Sequence, residues 1–550
     1  MTIEKRWLVC FFSQFIENCR WVARRSNALA TVALIVQLIF GATGRSLVSD
    51  VVAVSNTIVA NSDDQTPASD NRKQPMTKVQ LELLVKDLEK KVDDNATDSA
   101  LRFELADQIL RLAEFHFEQG DSQDAHTAWQ RSFRLYDQLS DLISKINRKS
   151  GKSFRHVYIR PDETSEVVDP IKSIIRAVEL AKKLEPTLEN PFVKNLIVAQ
   201  SLRVLGEFQL QANDSEDAER NLDKAVSLSE SFLKSNPGSL DARCDAAKSY
   251  GKLAWLNLRQ QNWERAETCF AQLIEHWEWI TSHEPKNRRF RESLAEGLAE
   301  AGALYQMNGK TKQAIKFAKS EVSIRKQMSL QSPESMVLSS ELAAAHNRLG
   351  TILIAENDLS GAREHLEAAI KLHQSTGVDS MEPSVCNEFA GELVNLAVML
   401  TKKNQPNEAL ELLVQAEQYH LSAVTAEPDN GLFRFFFRNN LGLLLQTFLN
   451  LNRHEDAAKT IPNFLKYSNK PEDQYTAAIS AAKCVNLANK DKILSKSDRD
   501  KSIEEYGRIS VELLRKLVKK GLIRGNHLAI LDFDSISIRD DFKELKDSLK

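Results

Sequence analysis

Apolar and small residues recur along this chain with a period close to 48. Seven short strings end in alanine at matching places: SQDA at Ser122–Ala125, SEDA at Ser215–Ala218, WERA at Trp263–Ala266, TKQA at Thr311–Ala314, LSGA at Leu359–Ala362, PNEA at Pro406–Ala409 and HEDA at His454–Ala457. The alanines are spaced 93, 48, 48, 48, 47 and 48 residues apart. Twelve residues before each stands Ala113, Gly206, Ala254, Gly302, Gly350, Ala397 or Leu445, all small but the last. Leucine precedes most of these, as at Leu205, Leu253 and Leu349. Four residues after the alanines come Trp129, Leu222, Phe270, Ala318, Leu366, Leu413 and Ile461. Small residues on facing helices let the two approach closely, and a bulky residue four further on lies one turn along the same face.

Between the two small positions lies Gly120, Asn213, Gln261, Gly309, Asn357, Asn404 or Asn452. Glycine and asparagine accept the left-handed conformation that closes a helix. Prolines fall in phase at Pro237, Pro285 and Pro333, then at Pro383 and Pro428, where they stop the second helix. The unit is helix, tight turn, helix, short link. The gap of 93 is almost two periods. Pro170–Leu184 supplies a second helix there, and a displaced first helix leaves an inserted loop within 145–190. Residues 76–92 read as a leading helix. Residues 471–518 read as a further hairpin, split by the polar stretch 489–500.

The Leu-small pair, the turn residue and the alanine resemble the tetratricopeptide repeat family over roughly residues 100–465. Gly302, Tyr305, Gly309 and Ala314 match that pattern, as do Leu349, Gly350 and Ala362. The departure is the period, which is about 34 in that family. About four extra helical turns per unit imply helices near 20 residues, roughly 30 Å long. The resemblance implies an all-α solenoid (superhelix) of antiparallel helix-turn-helix repeats that binds other proteins. A weaker resemblance joins the long repeat, with links such as HEPKNRRF at His283–Phe290, to the helical region of planctomycete-type bacterial serine/threonine kinases. The tail Leu513–Leu549 is similar to the closing segment of such chains. No kinase domain accompanies it: the glycine-rich phosphate loop, strand lysine motif and catalytic loop are absent from the sequence.

Composition agrees with helices. Glycine is 19 and proline 14 of 550 residues, about half the usual 7% and 5%, which excludes a chain of short strands and hairpins. A net charge of −3 gives no global basic excess and no suggestion of nucleic acid. Six scattered cysteines without a CxxC pair suggest neither zinc nor a disulfide framework. The N-terminal stretch is different. Residues 26–44 carry no charge and follow Arg20, Arg24 and Arg25. That layout fits a signal or membrane anchor with the repeat body outside the cytoplasm, or secreted after cleavage. The alternative is a buried first helix of a cytoplasmic body. The expected organisation is therefore 1–44 signal or membrane anchor, 45–75 polar linker, 76–518 repeat solenoid and 519–550 C-terminal tail.

Motifs for chemistry fail on inspection. Gly309-Lys310-Thr311 imitates the end of a phosphate loop, but Leu304 stands where that loop needs glycine. Asp532-Phe533-Asp534 lacks the glycine of a kinase metal triplet, and the histidines form no HExxH. No cofactor, metal or catalytic residue is expected. The basic run 145–160 reads as a solvated loop or as a contact for an acidic partner or a lipid headgroup. In a solenoid the first helix of each unit lines the inner groove. The residues expected there are Arg203, Glu207, Trp255, Arg259, Gln306, Asn347, Thr351 and Lys402, with Val398 and Gln446. Trp255 either anchors a partner together with Arg259 or packs against the next repeat. Two functions follow: a non-catalytic scaffold holding a protein or peptide segment in its groove, or a regulatory or sensor subunit of a separate signalling enzyme such as a serine/threonine kinase.

Overall fold

A computed structural model describes residues 76–549 apart from 96–97, 151–169, 188–190, 378–381, 469, 525–526 and 529. The described chain is all helical, with no strand among the described residues. It divides into two compact units, one running to Ile324 and one from Arg325 on.

The first unit holds α1 (Lys78–Asp94), α2 (Ser99–Glu118), α3 (Ser122–Ser150), α4 (Pro170–Leu184), α5 (Pro191–Gln211), α6 (Ser215–Ser235), α7 (Leu240–Arg259), α8 (Trp263–His283), α9 (Arg288–Met307) and the start of α10 (Thr311–Gln331). The second holds the rest of α10, α11 (Met336–Ala355), α12 (Leu359–Ser375), α13 (Pro383–Lys402), α14 (Pro406–Ala426), α15 (Gly431–Asn450), α16 (His454–Lys466), α17 (Pro471–Lys490), α18 (Lys496–Lys519) and α19 (Asp540–Asp547). Hairpins form where the repeat places them. In the first unit α5 packs on α6 and α7 on α8, and the pairs join through α6 on α7. In the second, α11 packs on α12, α13 on α14 and α17 on α18, with α14 on α15 joining the pairs. The helices of the regular units are mostly 20 or 21 residues long, as the period implies.

All seven turn residues have positive φ: Gly120 82°, Asn213 65°, Gln261 63°, Gly309 71°, Asn357 66°, Asn404 61° and Asn452 58°. Each turn closes with the same pair of hydrogen bonds. At Asn357 its N–H donates to Ile354 O at 3.1 Å, and the N–H of Asp358 donates to Leu353 O at 2.9 Å. At Gly309 the pair is Gly309 to Gln306 and Lys310 to Tyr305, at 3.0 and 2.8 Å. This six-residue closure satisfies carbonyls that the helix end leaves open. The next residue then starts the second helix: Asp121, Asp214 and Asp358 each accept the N–H three residues on.

Ala125, Ala218, Ala266, Ala314, Ala362, Ala409 and Ala457 are all fully buried. The glycines opposite differ. A Cβ on Gly350 would come within 2.7 Å of Leu366 Cγ, and on Gly206 within 2.7 Å of Leu222 Cγ. On Gly302 it would meet nothing closer than Ala314 O at 3.6 Å. The irregular region is bridged by α3, which at 29 residues outlasts its partners. The indole Nε1 of Trp129 on α3 donates to Ala177 O on α4 at 2.9 Å, seating α4. The side chains of the basic run 145–160 lie outside the described residues.

The described residues of 519–549 pack against the last hairpin. A short 3-10 turn, Leu531–Ile536, packs on α17, and α19 packs on α18. Phe533, Ile536, Phe542 and Leu545 are buried by it. Tyr475 donates from its hydroxyl to His527 O at 2.7 Å, and Ser535 to Ala482 O at 2.6 Å. Arg539 grips Glu504 at 2.7 Å and Asp541 at 2.9 Å. The segment covers the outer side of the last hairpin as a capping unit does.

The membrane-anchored or exported placement is corrected. Among the described residues no helix is long and apolar enough to cross a membrane. Residues 26–44, on which that expectation rested, lie outside the described residues.

Candidate functional site

The residues expected along an open groove separate into two groups. Trp255 is half-buried, Arg259 exposed, Asn347 half-buried and Lys402 exposed; Gln446 is also exposed. Trp255 meets Phe270 edge to face at 6.1 Å, so its ring is steadied by its own hairpin. Asn347 accepts from Asn395 Nδ2 at 2.9 Å, and Lys402 donates to Ile354 O at 3.4 Å, each bond spanning 48 residues, one repeat. Arg203, Glu207, Gln306 and Thr351 are corrected. All four are buried, as is Val398. Thr351 closes onto Arg348 O at 2.7 Å within its own helix.

The first two are buried because α5 is enclosed all round. Every residue described from Leu196 to Gln209 is buried except Gln200. The long α3 packs on α5, which also touches α4, α6 and α7. Charges trapped in this way need partners. Arg203 finds three: Asp137 of α3 at 2.7 Å, Glu207 of its own helix at 2.8 Å and Asp245 of α7 at 2.9 Å. Lys248 of α7 reaches Asp137 at 3.2 Å, and Ser140 of α3 donates to Glu207 at 2.5 Å. Burial would push the Asp137 carboxyl up, but the charges of Arg203 and Lys248 hold it down at about 2. Glu207 is likewise lowered against its burial, by Lys252 and Arg203. For Asp245 burial wins and its carboxyl is raised, its Oδ2 having no hydrogen-bond partner. The cluster ties α3, α5 and α7 together and leaves no room for a ligand at Arg203.

A second polar pattern escaped the sequence reading. Eleven residues after the repeat alanine stand Arg325, His373, His420 and Ser468 in the second unit, all buried. Each pairs with a polar group on a first helix. Arg325 meets Glu341 at 2.7 Å, His373 Nδ1 meets Glu392 at 2.9 Å, and His420 Nδ1 meets Asn387 Oδ1 at 3.0 Å. Ser468 donates to Asp473, which also takes Arg438 at 2.7 Å. The signal was present as a phase in the second helix, but its residue types vary too much to read as a motif.

Where a cation could sit, the described residues offer one group: His116, Asp121 and Asp124, with ligand atoms within 4.8 Å of one another. Asp121 already caps α3, and both carboxylates are exposed, so the group has a local structural role. The described cysteines, Cys244, Cys269, Cys386 and Cys484, are free, and burial pushes the thiols of Cys244 and Cys484 up to about 12. Such thiols are poor nucleophiles.

The chain matches no known protein-family profile and no curated protein. Solved structures do resemble it. The apo form of RapI is 12% identical, with 81% of this chain and 99% of that one covered and a TM-score of 0.43. A signal transduction ATPase with numerous domains and a tetratricopeptide repeat sensor, from Pyrococcus horikoshii, is 13% identical over 76% of this chain and 54% of that one, with a TM-score of 0.41. Aspartyl phosphate phosphatase F from Bacillus subtilis is 15% identical over 68% and 89%, with a TM-score of 0.37. At these identities the likeness adds nothing to the helical-repeat fold described above.

Proposed function

We propose that the chain is a tetratricopeptide-like, non-catalytic scaffold that binds a segment of another protein on the first-helix faces of its hairpins. The observation that carries the reading is the state of Trp255 and Arg259. They sit one helical turn apart on α7, the tryptophan fixed by Phe270 and still partly open, the arginine exposed. A rigid aromatic beside an arginine is the composition of an interface anchor. In the second unit Lys402 holds the position that Arg259 holds in the first and is exposed, while Asn347, on another position of its first helix, is half-buried. Hairpins held by their neighbours supply a rigid, extended surface, which suits a long contact with a peptide.

The test compares tagged wild-type chain with W255A/R259E and with K402E in co-purification from the source cells, with partners quantified by mass spectrometry. The reading expects a defined protein to be recovered with the wild type and depleted about tenfold or more by W255A/R259E, as loss of a hot-spot pair implies. Recovery of the same proteins in the same amounts from both chains would overturn it.

A further inference from the structure

The C-terminal end of α18 carries charge that the fold does not use. Residues 513–524 hold Arg515, Lys516, Lys519, Lys520 and Arg524 and no acidic residue, in a chain whose net charge is −3. All five are exposed. Among the described residues none of the five forms an ion pair. Glu512, the nearest acid in sequence, is taken by Arg508 at 2.8 Å. Arg515 does feel Asp541, but Arg539 already holds that carboxylate at 2.9 Å. The helical spacing puts 515, 516, 519 and 520 on one stripe, about 8 Å long at 1.5 Å per residue. Gly521, at φ 69°, then turns the chain back, with Leu522 N–H donating to Leu517 O at 3.0 Å, so that Arg524 follows within a few residues. Leu522 stands exposed among the cations.

A helix C-terminus favours one or two cations, through the macrodipole. It does not account for five. Like charges at i, i+4 repel, and all of them lie within about one Debye length, roughly 8–10 Å, so their fields add. A bound polyanion would relieve that repulsion. The stripe is short, and residues 513–524 include no aromatic side chain on which bases could stack. Its length and the exposed Leu522 fit a peptide carrying several carboxylates and an apolar residue.

We propose that this end of α18 is a docking surface for an acidic, carboxylate-rich segment of the partner protein, separate from the Trp255 face. The proposal rests on the protein-binding reading above and adds the partner's chemistry. It is tested with the full chain and a fluorescein-labelled peptide of about twelve alternating Glu and Ser residues, by anisotropy at about 0.05 and 0.3 M salt. The expected result is binding that weakens with salt, is absent for the Gln/Ser peptide, and falls about tenfold in K516Q/K519Q/K520Q. The equally charged variant K86Q/K182Q/K459Q, altered at exposed lysines elsewhere, is expected to bind as wild type does. Equal loss in both triple variants, no peptide binding at low salt, or preference for a uridine oligonucleotide or phosphatidylserine vesicles over the peptide would each overturn the proposal. Peptide binding by W255A/R259E distinguishes the two readings: it is expected to be unchanged here, whatever happens to partner recovery.

Discussion

At the scale of single residues, the hairpin depends on which atoms meet across it. Gly350 and Gly302 occupy the same repeat position, yet their surroundings differ. An added methyl at Gly350 runs into Leu366, while at Gly302 it finds ordinary contact distance. G350A is therefore expected to destabilise, by roughly 1–3 kcal/mol for overpacking. G302A is expected to be neutral or to stabilise by about 0.5–1 kcal/mol, since glycine costs that much inside a helix. Urea midpoints of the two variants check this, and equal shifts would contradict it. The sequence made the position legible as small, because a 48-residue phase repeats it. What separates the two glycines also stood in the sequence, in the residue four after the alanine: Leu366 faces Gly350, and only Ala318 takes the matching place beyond Gly302. The turn residues were fully legible, because few residues accept positive φ. Gln261 is the departure from Gly or Asn, and it adopts the same φ of 63° as its counterparts, at the steric cost that a Cβ brings.

At the scale of elements, the repeat pattern records what each helix buries against its own partner. It does not record what lies across its other face. That is why Arg203 and Glu207 were assigned to a groove and are instead enclosed beneath α3. The irregular spacing of 93 announced that something was displaced there, but not that a 29-residue helix would lie over α5. A cluster of buried ion pairs fails badly when one charge is removed. R203M is expected to leave Asp137, Glu207 and Asp245 without their shared cation and to cost about 3–5 kcal/mol. R259A, on an exposed arginine, is expected to change stability by about 0.5 kcal/mol or less. If R203M unfolds at the same denaturant concentration as R259A, the cluster does not hold the three helices. The column of Arg325, His373, His420 and Ser468 belongs to this scale too. It pairs second helices with first helices by a different polar couple at each level, so a one-level slip would leave buried groups mismatched.

At the scale of the whole molecule, acid should be felt through the buried histidines. Burial lowers His420 to about 3 and His346 to about 4, the latter also through His365 and Lys326. Unfolded, both would bind protons near pH 6.5. The unfolded state thus binds more protons below that pH, and stability falls as pH drops from about 6.5 toward 4. His373 works in the opposite direction: although burial lowers it, Glu392 raises it overall, so its contribution is present in acid and lost as pH rises. For His420 the loss is about 2 kcal/mol at pH 5, at about 1.4 kcal/mol per pH unit. H420N can keep a donor toward Asn387 without a titrating group, so it should lose correspondingly less between pH 7 and pH 5. Equal losses for wild type and variant in urea unfolding would contradict this. Closed turns, buried alanines and a covered last hairpin build an extended surface. The most direct measurement of whether that surface binds protein is photo-crosslinking in the source cells. A photoreactive residue is placed at 255, 259, 347 or 402, and at the exposed second-helix positions 316 and 367 as comparison. Discrete adducts to a common protein from the first four positions, with few or none from 316 and 367, are the predicted result. Adducts of equal yield from all six, or none from 255 and 259, would contradict the account.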